Sequence, residues 1–157
     1  MICRLRQVIP PKLKLLVYNA LFLPHINYCN LVWGTTSATH IHKLLLIQKK
    51  AIRHIANAPY DSHTRDLFQS FNVLTVTHAY IFNLFLKYKS SLKHTNEHFL
   101  RMSRLKKSLQ LPYSVRQRDT WDLPFSRTNN GFNRLQYRVP FLLNSLEKLH
   151  IDPNTMT

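Results

Sequence analysis

The sequence is poor in glycine and in cysteine. Only two glycines occur among 157 residues, so the chain cannot build a phosphate-binding loop from clustered glycines. It also lacks the G-x-S-x-G motif of serine hydrolases. The two cysteines, Cys3 and Cys29, do not have the C-x-x-C spacing of a metal or redox site, and we interpret them as free thiols in a reducing compartment.

Acidic residues are also scarce. The chain has 7 Asp and Glu residues against 22 Lys and Arg residues, which gives a net charge of +15. No acidic residue precedes Asp61, and a second basic region runs from Arg101 to Arg138. An excess of this size predicts a polyanionic partner, which is nucleic acid in the first place and an anionic membrane surface in the second.

Long hydrophobic runs are missing as well. A membrane-spanning helix needs about 18 consecutive apolar residues, and the longest candidate, LLVYNALFLPHINYCNLVW, is interrupted by asparagines, a proline and a histidine. The first residues, MICRLRQVIPPK, lack the apolar core of a secretory signal. We therefore expect an intracellular protein, nuclear or cytoplasmic, that is not secreted and has no membrane partner.

Hydrophobic residues, in contrast, make up 45% of the chain and recur at helical spacing. Pro24 should kink or end the first helix, and Gly34 should adopt the left-handed conformation of a helix C-terminus. Thr39 and Thr75 are placed as N-caps, and Pro140 should open the last helix. The predicted helices cover about 11–23, 26–33, 40–57, a short stretch through Leu67 and Phe71, 76–91, 96–109, and a last stretch that starts at Pro140.

The sequence therefore predicts a mainly α fold, a compact bundle of about five or six helices. The segment 76–91 is apolar nearly all round, so we expect it to be the central helix of the core. Before the last helix we expect an irregular basic segment, with a short β-hairpin around Asn130 and Gly131 as an alternative. We divide the chain into a helical domain, 1–110, and a basic, aromatic-rich segment with the C-terminal helix packed on it, 111–157.

One stretch resembles a zinc-hydrolase motif. The residues His94, Glu97 and His98 fit the H-x-x-E-H motif. In that motif two histidines one helical turn apart bind a zinc ion, and a glutamate lies beside them. The match straddles an expected helix start and lies among basic residues, where a cation is repelled. We therefore expect no metal and no other cofactor, and a zinc hydrolase remains only as an alternative function.

Basic residues mixed with aromatic ones are the pattern that remains. Lys43 and Lys50 share one face of the helix predicted over 40–57, and the same mixture recurs between 116 and 138. Arginine binds phosphates and flat rings stack on unpaired bases, although a solvated polar face would show the same pattern. The candidate nucleic-acid ligands are Lys43, Lys49, Lys50, Arg53, Arg101, Arg104, Lys107, Arg116, Arg118, Arg127 and Arg134.

Several segments, in order, resemble the region that follows the polymerase core in non-LTR, LINE-type, jockey-like retrotransposon reverse transcriptases. LLVYNALFLPHINYCNLVWG is similar to a pattern with P-H, tyrosine and W-G, and LLLIQKKAIRHI is similar to one with a central glutamine. YDSHTRDLFQSFNVLTV and the tail YRVPFLLNSLEK match two further family patterns. The tail departs from the family at Val139, Leu143 and Glu147, where glycine, tryptophan and proline are usual.

This resemblance implies the C-terminal, thumb and post-thumb, part of such a polymerase. The paired aspartates of the catalytic palm are absent from this sequence, so we expect no catalysis by the chain alone. The implied function is binding of RNA or of an RNA–DNA hybrid, and the alternative is a folded, non-functional remnant of a transposable element. The resemblance also implies structural roles for Pro24, Trp33, Gly34 and Gln48.

Overall fold

The structure is a computed structural model that describes residues 9–93, 97–108 and 120–150. The prediction of a mainly α fold is confirmed. The chain divides into two compact units, Met1–Tyr80 and Ile81–Thr157. The domain boundary that we placed at residue 110 falls outside the described ranges, so it stays a prediction.

The α-helices of the described residues are α1 Pro11–Val17, α2 Leu23–Asn27, α3 Asn30–Trp33, α4 Ala38–Ala56, α5 Arg65–Ser70, α6 Val76–Lys93, α7 Glu97–Ser103, α8 Asn129–Asn133 and α9 Leu135–Lys148.

The helix that begins at Pro11 does not end at Pro24. A π-helical turn, Tyr18–Phe22, joins α1 to α2, and the Leu23 amide donates to the Tyr18 carbonyl five residues earlier. Proline has no N–H, and its ring collides with the carbonyl four residues before it. The wider π turn relieves that collision, so the proline alters the helix over 18–22 and the backbone stays helical to Asn27.

The short helix expected over 26–33 is divided, which corrects the prediction. Cys29 has a left-handed backbone with φ 48° and separates α2 from α3. The Trp33 indole Nε1 donates to the Tyr28 carbonyl at 2.6 Å, which holds this reversal. The side-chain amide of Asn30, which is buried, donates to the Ile26 carbonyl at 3.2 Å.

Gly34 lies between α3 and α4, and its expected left-handed conformation is wrong. Its φ is −63° and its ψ is −13°, which any residue can adopt. A Cβ on Gly34 would collide with the Tyr80 ring and would lie 2.5 Å from the Asn30 carbonyl oxygen. Space, and not backbone freedom, therefore requires glycine here.

The long helix α4 carries the core of the first unit. It begins one residue before the expected cap Thr39, because Ser37 occupies the N-cap position. Its buried face contacts the π turn and α5. The buried core cluster consists of Tyr18, Ala51, Ile52, Ile55 and Phe68.

The short helix α5 begins at Arg65, with Thr64 in the N-cap position. The hydroxyl of Thr75 accepts a hydrogen bond from the His78 amide at 3.3 Å, so Thr75 caps α6 as predicted.

The helix α6 is not buried all round. Val76, Leu84 and Tyr88 are buried, whereas Phe82 and Leu86 are each close to half exposed. The apolar circumference of α6 is therefore covered only in part, and its place as the central helix of the core stays a prediction. Since apolar residues occupy most of its circumference, the sequence could not show which face is covered.

In the second unit, α7 packs against α9. It ends at Ser103, six residues earlier than predicted, where Arg104 adopts a left-handed backbone with φ 47°. An antiparallel β-bridge pairs Lys107 with Trp121. The hairpin alternative around 130 is wrong, because these residues form α8, whose N-cap Thr128 accepts from the Gly131 amide at 3.2 Å.

The last helix begins five residues before Pro140, which lies inside α9 and is buried. The proline removes one hydrogen bond near the start of the helix, and burial beside Val139 and Leu143 offsets that loss. Within the described ranges, no helix combines the length and the apolar character that crossing a bilayer requires.

Candidate nucleic-acid interface

The side-chain amide of Gln48 positions the candidate basic helix. Gln48 is fully buried in α4. Its Nε2 donates to the Tyr18 hydroxyl at 2.9 Å and to the Leu74 carbonyl at 2.8 Å, and its Oε1 accepts from the Val76 amide at 2.9 Å. One side chain therefore ties α4 to the π turn and to the start of α6.

Burial also acts on the tyrosine in this network. Burial raises the pKa of Tyr18 above its ordinary value of 10.0, and the hydrogen bond from Gln48 opposes that rise. The hydroxyl is therefore neutral near pH 7, as the hydrogen-bonded core requires.

The opposite side of α4 carries the cations. Lys43, Lys50 and Arg53 are separated by seven and three residues, which places them on one face, and we call them, with Leu46 between them, the α4 outer face. Lys43 and Lys50 are exposed and Arg53 is half-buried. Since the buried side of α4 faces the core cluster, this outer face is turned to solvent.

A loop residue completes this surface. Tyr60 is 76% exposed, and its ring centroid lies 6.0 Å from Lys50 Nζ and 5.7 Å from Arg53 Cζ. The Arg53 Nε donates to the Ser62 carbonyl at 2.9 Å, which holds the loop beside the helix. Two cations and one aromatic ring therefore form a single exposed group, although the exposed Asp61 beside Tyr60 weakens its positive potential.

The structure separates Lys49 from the other cations of α4. Lys49 is half-buried and borders a cleft of about 690 Å³, which lies between α4, α5 and the start of α6. Arg65 and His78 line the same cleft. Lys49 is therefore one turn from Arg53 in sequence but belongs to a different surface.

The second unit holds the remaining candidates, which the structure does not bring together on one helix. Arg101 lies on α7, and Arg104 follows the end of that helix. Lys107 lies on the β-bridge with Trp121. Two more, Arg127 and Arg134, flank α8, and all five side chains are exposed. The candidates Arg116 and Arg118 lie outside the described residues.

An asparagine fixes the irregular segment of this unit. Asn144 is buried in α9. Its Oδ1 accepts from the Trp121 amide at 3.0 Å, and its Nδ2 donates to the Trp121 carbonyl at 2.9 Å. The Thr120 hydroxyl donates to Glu147 Oε1 at 2.6 Å. The segment that follows residue 119 is therefore held along α9.

The candidate cations have no acidic partners in the described part of the chain. None of Lys43, Lys50, Arg101, Arg127 or Arg134 forms an ion pair there. Exposed ion pairs contribute little to stability, but they neutralise local potential. Within the described ranges, the charge of these five side chains is therefore not neutralised by a carboxylate.

The motif behind the zinc-hydrolase alternative lies partly outside the described residues, because the structure describes neither His94 nor the side chain of Glu97. Within the described ranges, no three His, Cys, Asp or Glu side chains are grouped so as to hold a metal ion.

Sequence reasoning missed two residues of these surfaces, Tyr60 and Asn144. The loop ANAPYDSH contains no periodic pattern that would show Tyr60 folding back on α4. The partner of Asn144 is 23 residues away in an aperiodic segment, so no local signal could find it.

The chain was compared with known proteins. No protein-family model matches it, and no solved structure matches it. A 54-residue stretch, 34% of this chain, is 33% identical to the RNA-directed DNA polymerase from the mobile element jockey of Drosophila funebris. The chain spans about 6% of the length of that polymerase. This similarity supports a reverse-transcriptase-related region within the chain.

Proposed function

We propose that this chain binds nucleic acid as a C-terminal, thumb or post-thumb, part of a non-LTR retrotransposon reverse transcriptase. In that role it holds template RNA and nascent DNA and does not itself catalyse polymerisation. The partner is RNA or an RNA–DNA hybrid inside the cell. The α4 outer face with Tyr60 is the observation that carries this proposal, and the partial similarity to the jockey polymerase supports it.

The outer face fits a phosphate backbone for two reasons. Its lysines are exposed and have no acidic partner among the described residues. Arg53 uses its Nε to hold the loop, and its Nη groups have no hydrogen-bond partner in the same ranges. Contacts to phosphate carry no sequence information, so binding tolerates any sequence.

The Gln48 network supports the same proposal by keeping α4 in place. A helix that is tied at its centre to two other elements presents its cations at fixed spacing. Fixed cations lose less conformational entropy when they bind than mobile ones.

The test is to reverse two charges on the outer face. The variant Lys43→Glu/Lys50→Glu changes exposed side chains only, so its fold should be retained. We expect about tenfold weaker binding of a labelled RNA–DNA hybrid at low salt. The slope of log Kd against log salt should also decrease by the amount that about two phosphate contacts contribute. Fluorescence anisotropy across a salt series measures both.

A matched control has the same change in net charge elsewhere. Lys12 and Lys93 are exposed and lie outside the outer face. The variant Lys12→Glu/Lys93→Glu should bind the hybrid within about twofold of the unchanged chain. Equal losses in both variants would show that total charge, and not the α4 outer face, determines binding.

The competing hypothesis is a folded remnant without function. It predicts that both charge-reversal variants and the unchanged chain bind the hybrid equally weakly. The same titrations therefore separate the two hypotheses.

A further inference from the structure

Three aromatic side chains form a row on the surface of the second unit. Phe132 of α8 and Tyr137 of α9 meet edge to face, with ring centroids 4.9 Å apart. Tyr137 and Phe141 are nearly parallel, at an angle of 15°, with centroids 6.0 Å apart. We call these three rings the aromatic row.

The row remains accessible to solvent. Phe132 is 37% exposed and Phe141 is 46% exposed. The helix α9 buries Val139 and Leu143, which lie two positions from Tyr137 and Phe141 and therefore on another face. The rings pack on one another and leave part of their surface uncovered.

The sequence segment that carries the row has positive charges only. No acidic residue occurs between 123 and 146 in the sequence. Arg127 and Arg134 are exposed beside α8. Arg138 is fixed by its Nη2, which donates to Asn133 Oδ1 at 2.8 Å. Any ligand of the rings therefore meets arginine and no carboxylate within this segment.

We infer that the aromatic row binds the unpaired bases of single-stranded nucleic acid, with Arg127 and Arg134 on its phosphates. Rings with exposed faces stack on bases of any sequence, and neighbouring cations hold the backbone. A paired duplex hides its base faces, so the ligand must be single-stranded. This inference rests on the proposed function and adds to it a second site and the strand state of its ligand.

A double variant tests the stacking without changing any charge. Tyr137→Leu/Phe141→Leu keeps apolar side chains and removes two rings. We expect about tenfold weaker binding of a labelled oligouridine of about 16 nucleotides. The slope of log Kd against log salt should not change, because no phosphate-binding cation is lost.

The control is Phe82→Leu. Phe82 is 49% exposed, close to the value for Phe141, and it has no ring partner among the described residues. This variant should bind the oligouridine within about twofold of the unchanged chain. Circular dichroism confirms that each variant is folded.

The two sites give distinguishable failures. The variant Tyr137→Leu/Phe141→Leu should bind the hybrid within about twofold of the unchanged chain, whereas Lys43→Glu/Lys50→Glu should bind it more weakly. If a folded row variant binds oligouridine like the unchanged chain, or loses hybrid and oligouridine equally, the inference is overturned and the proposed function stands. If the unchanged chain binds oligouridine through the row but does not bind the hybrid, hybrid binding by the α4 outer face is overturned and the row stands.

Discussion

In each unit one buried side-chain amide, Gln48 or Asn144, links elements that are distant in sequence, and the two amides connect different kinds of structure. Gln48 joins regular elements, since its three hydrogen bonds reach the π turn, the second residue before α6 and the first residue of α6. Asn144 joins a helix to an irregular segment through both backbone groups of Trp121. The first amide therefore supports the position of α4, whereas the second shapes the segment that precedes α8.

The two units also present aromatic rings differently. The first places one exposed ring, Tyr60, beside two cations of a helix. The second exposes three rings in mutual contact, with arginines around them. A single ring with cations suits a charged backbone, and a row of rings suits exposed bases.

The largest expected effect is the loss of the Gln48 amide. Gln48→Leu leaves the Tyr18 hydroxyl, the Leu74 carbonyl and the Val76 amide without this partner, and should lower the free energy of unfolding by about 3 kcal/mol. Asn144→Leu, which loses two hydrogen bonds in a half-buried segment, should cost about 2 kcal/mol. Urea denaturation measures both. The control is Gln69→Leu, because Gln69 is exposed. If Gln69→Leu lowered the free energy of unfolding as much as Gln48→Leu, the role of the network would be contradicted.

The two glycines, one in each unit, should respond differently to alanine. Gly34→Ala forces a methyl group against the Tyr80 ring and the Asn30 carbonyl, and should cost about 2 kcal/mol. In Gly131→Ala the nearest atoms to the methyl group belong to the side chains of Ser126 and Thr128 and none to the backbone, and alanine favours the helix more than glycine does, so the cost should be below about 1 kcal/mol. Thermal unfolding of the two variants compares them, and equal costs would disprove the steric explanation.

The stability of both units should fall at high pH. Burial raises the pKa of Tyr18 and of Tyr88 above 10.0, and only Tyr18 has a hydrogen bond that opposes the rise. Below pH 10.0 both hydroxyls are neutral and this stability is fully present. As the pH rises through the raised pKa values, the folded state retains protons that the unfolded state has lost, and stability decreases.

Tyr18→Phe and Tyr88→Phe check this dependence, because phenylalanine does not titrate. Urea denaturation at pH 8 and above pH 10 should show a smaller loss of stability in each variant than in the unchanged chain. An equally steep loss in both variants would assign the pH dependence to other groups.

The smallest expected effect concerns the acidic residue beside Tyr60. Asp61 is exposed and repels phosphate near Lys50 and Arg53. Asp61→Asn should therefore strengthen hybrid binding by about twofold, and less so at high salt, where exposed charges are screened. Anisotropy titration at two salt concentrations measures this change. Weaker binding by the variant would show that the ligand does not approach this loop.

Regular helices were predictable from the sequence where periodicity was strong. The boundaries of α4 and α6 lie within about two residues of the predicted ones, which is the usual precision of such predictions. The prolines were harder to interpret, because Pro24 and Pro140 both lie within continuous helical backbone. Local sequence shows that a proline removes a hydrogen bond, but tertiary packing decides whether the helix continues.

The candidate site was only partly predictable. Spacing alone placed Lys43 and Lys50 on one face, but it could not show that Lys49 borders a separate cleft. Gln48 was chosen from a resemblance, and its partners lie 26 to 30 residues away. Such contacts depend on the packing of whole helices, so no short pattern indicates them.

The most direct test of the central claim is a titration of the purified, unmodified chain with a labelled RNA–DNA hybrid. Fluorescence anisotropy is recorded from about 50 to 200 mM salt, a range over which phosphate contacts weaken binding steeply. The account predicts sub-micromolar binding at the lowest salt and a straight, steep fall of log affinity with log salt. Very weak binding at every salt concentration, by a chain that circular dichroism shows to be helical, would contradict it.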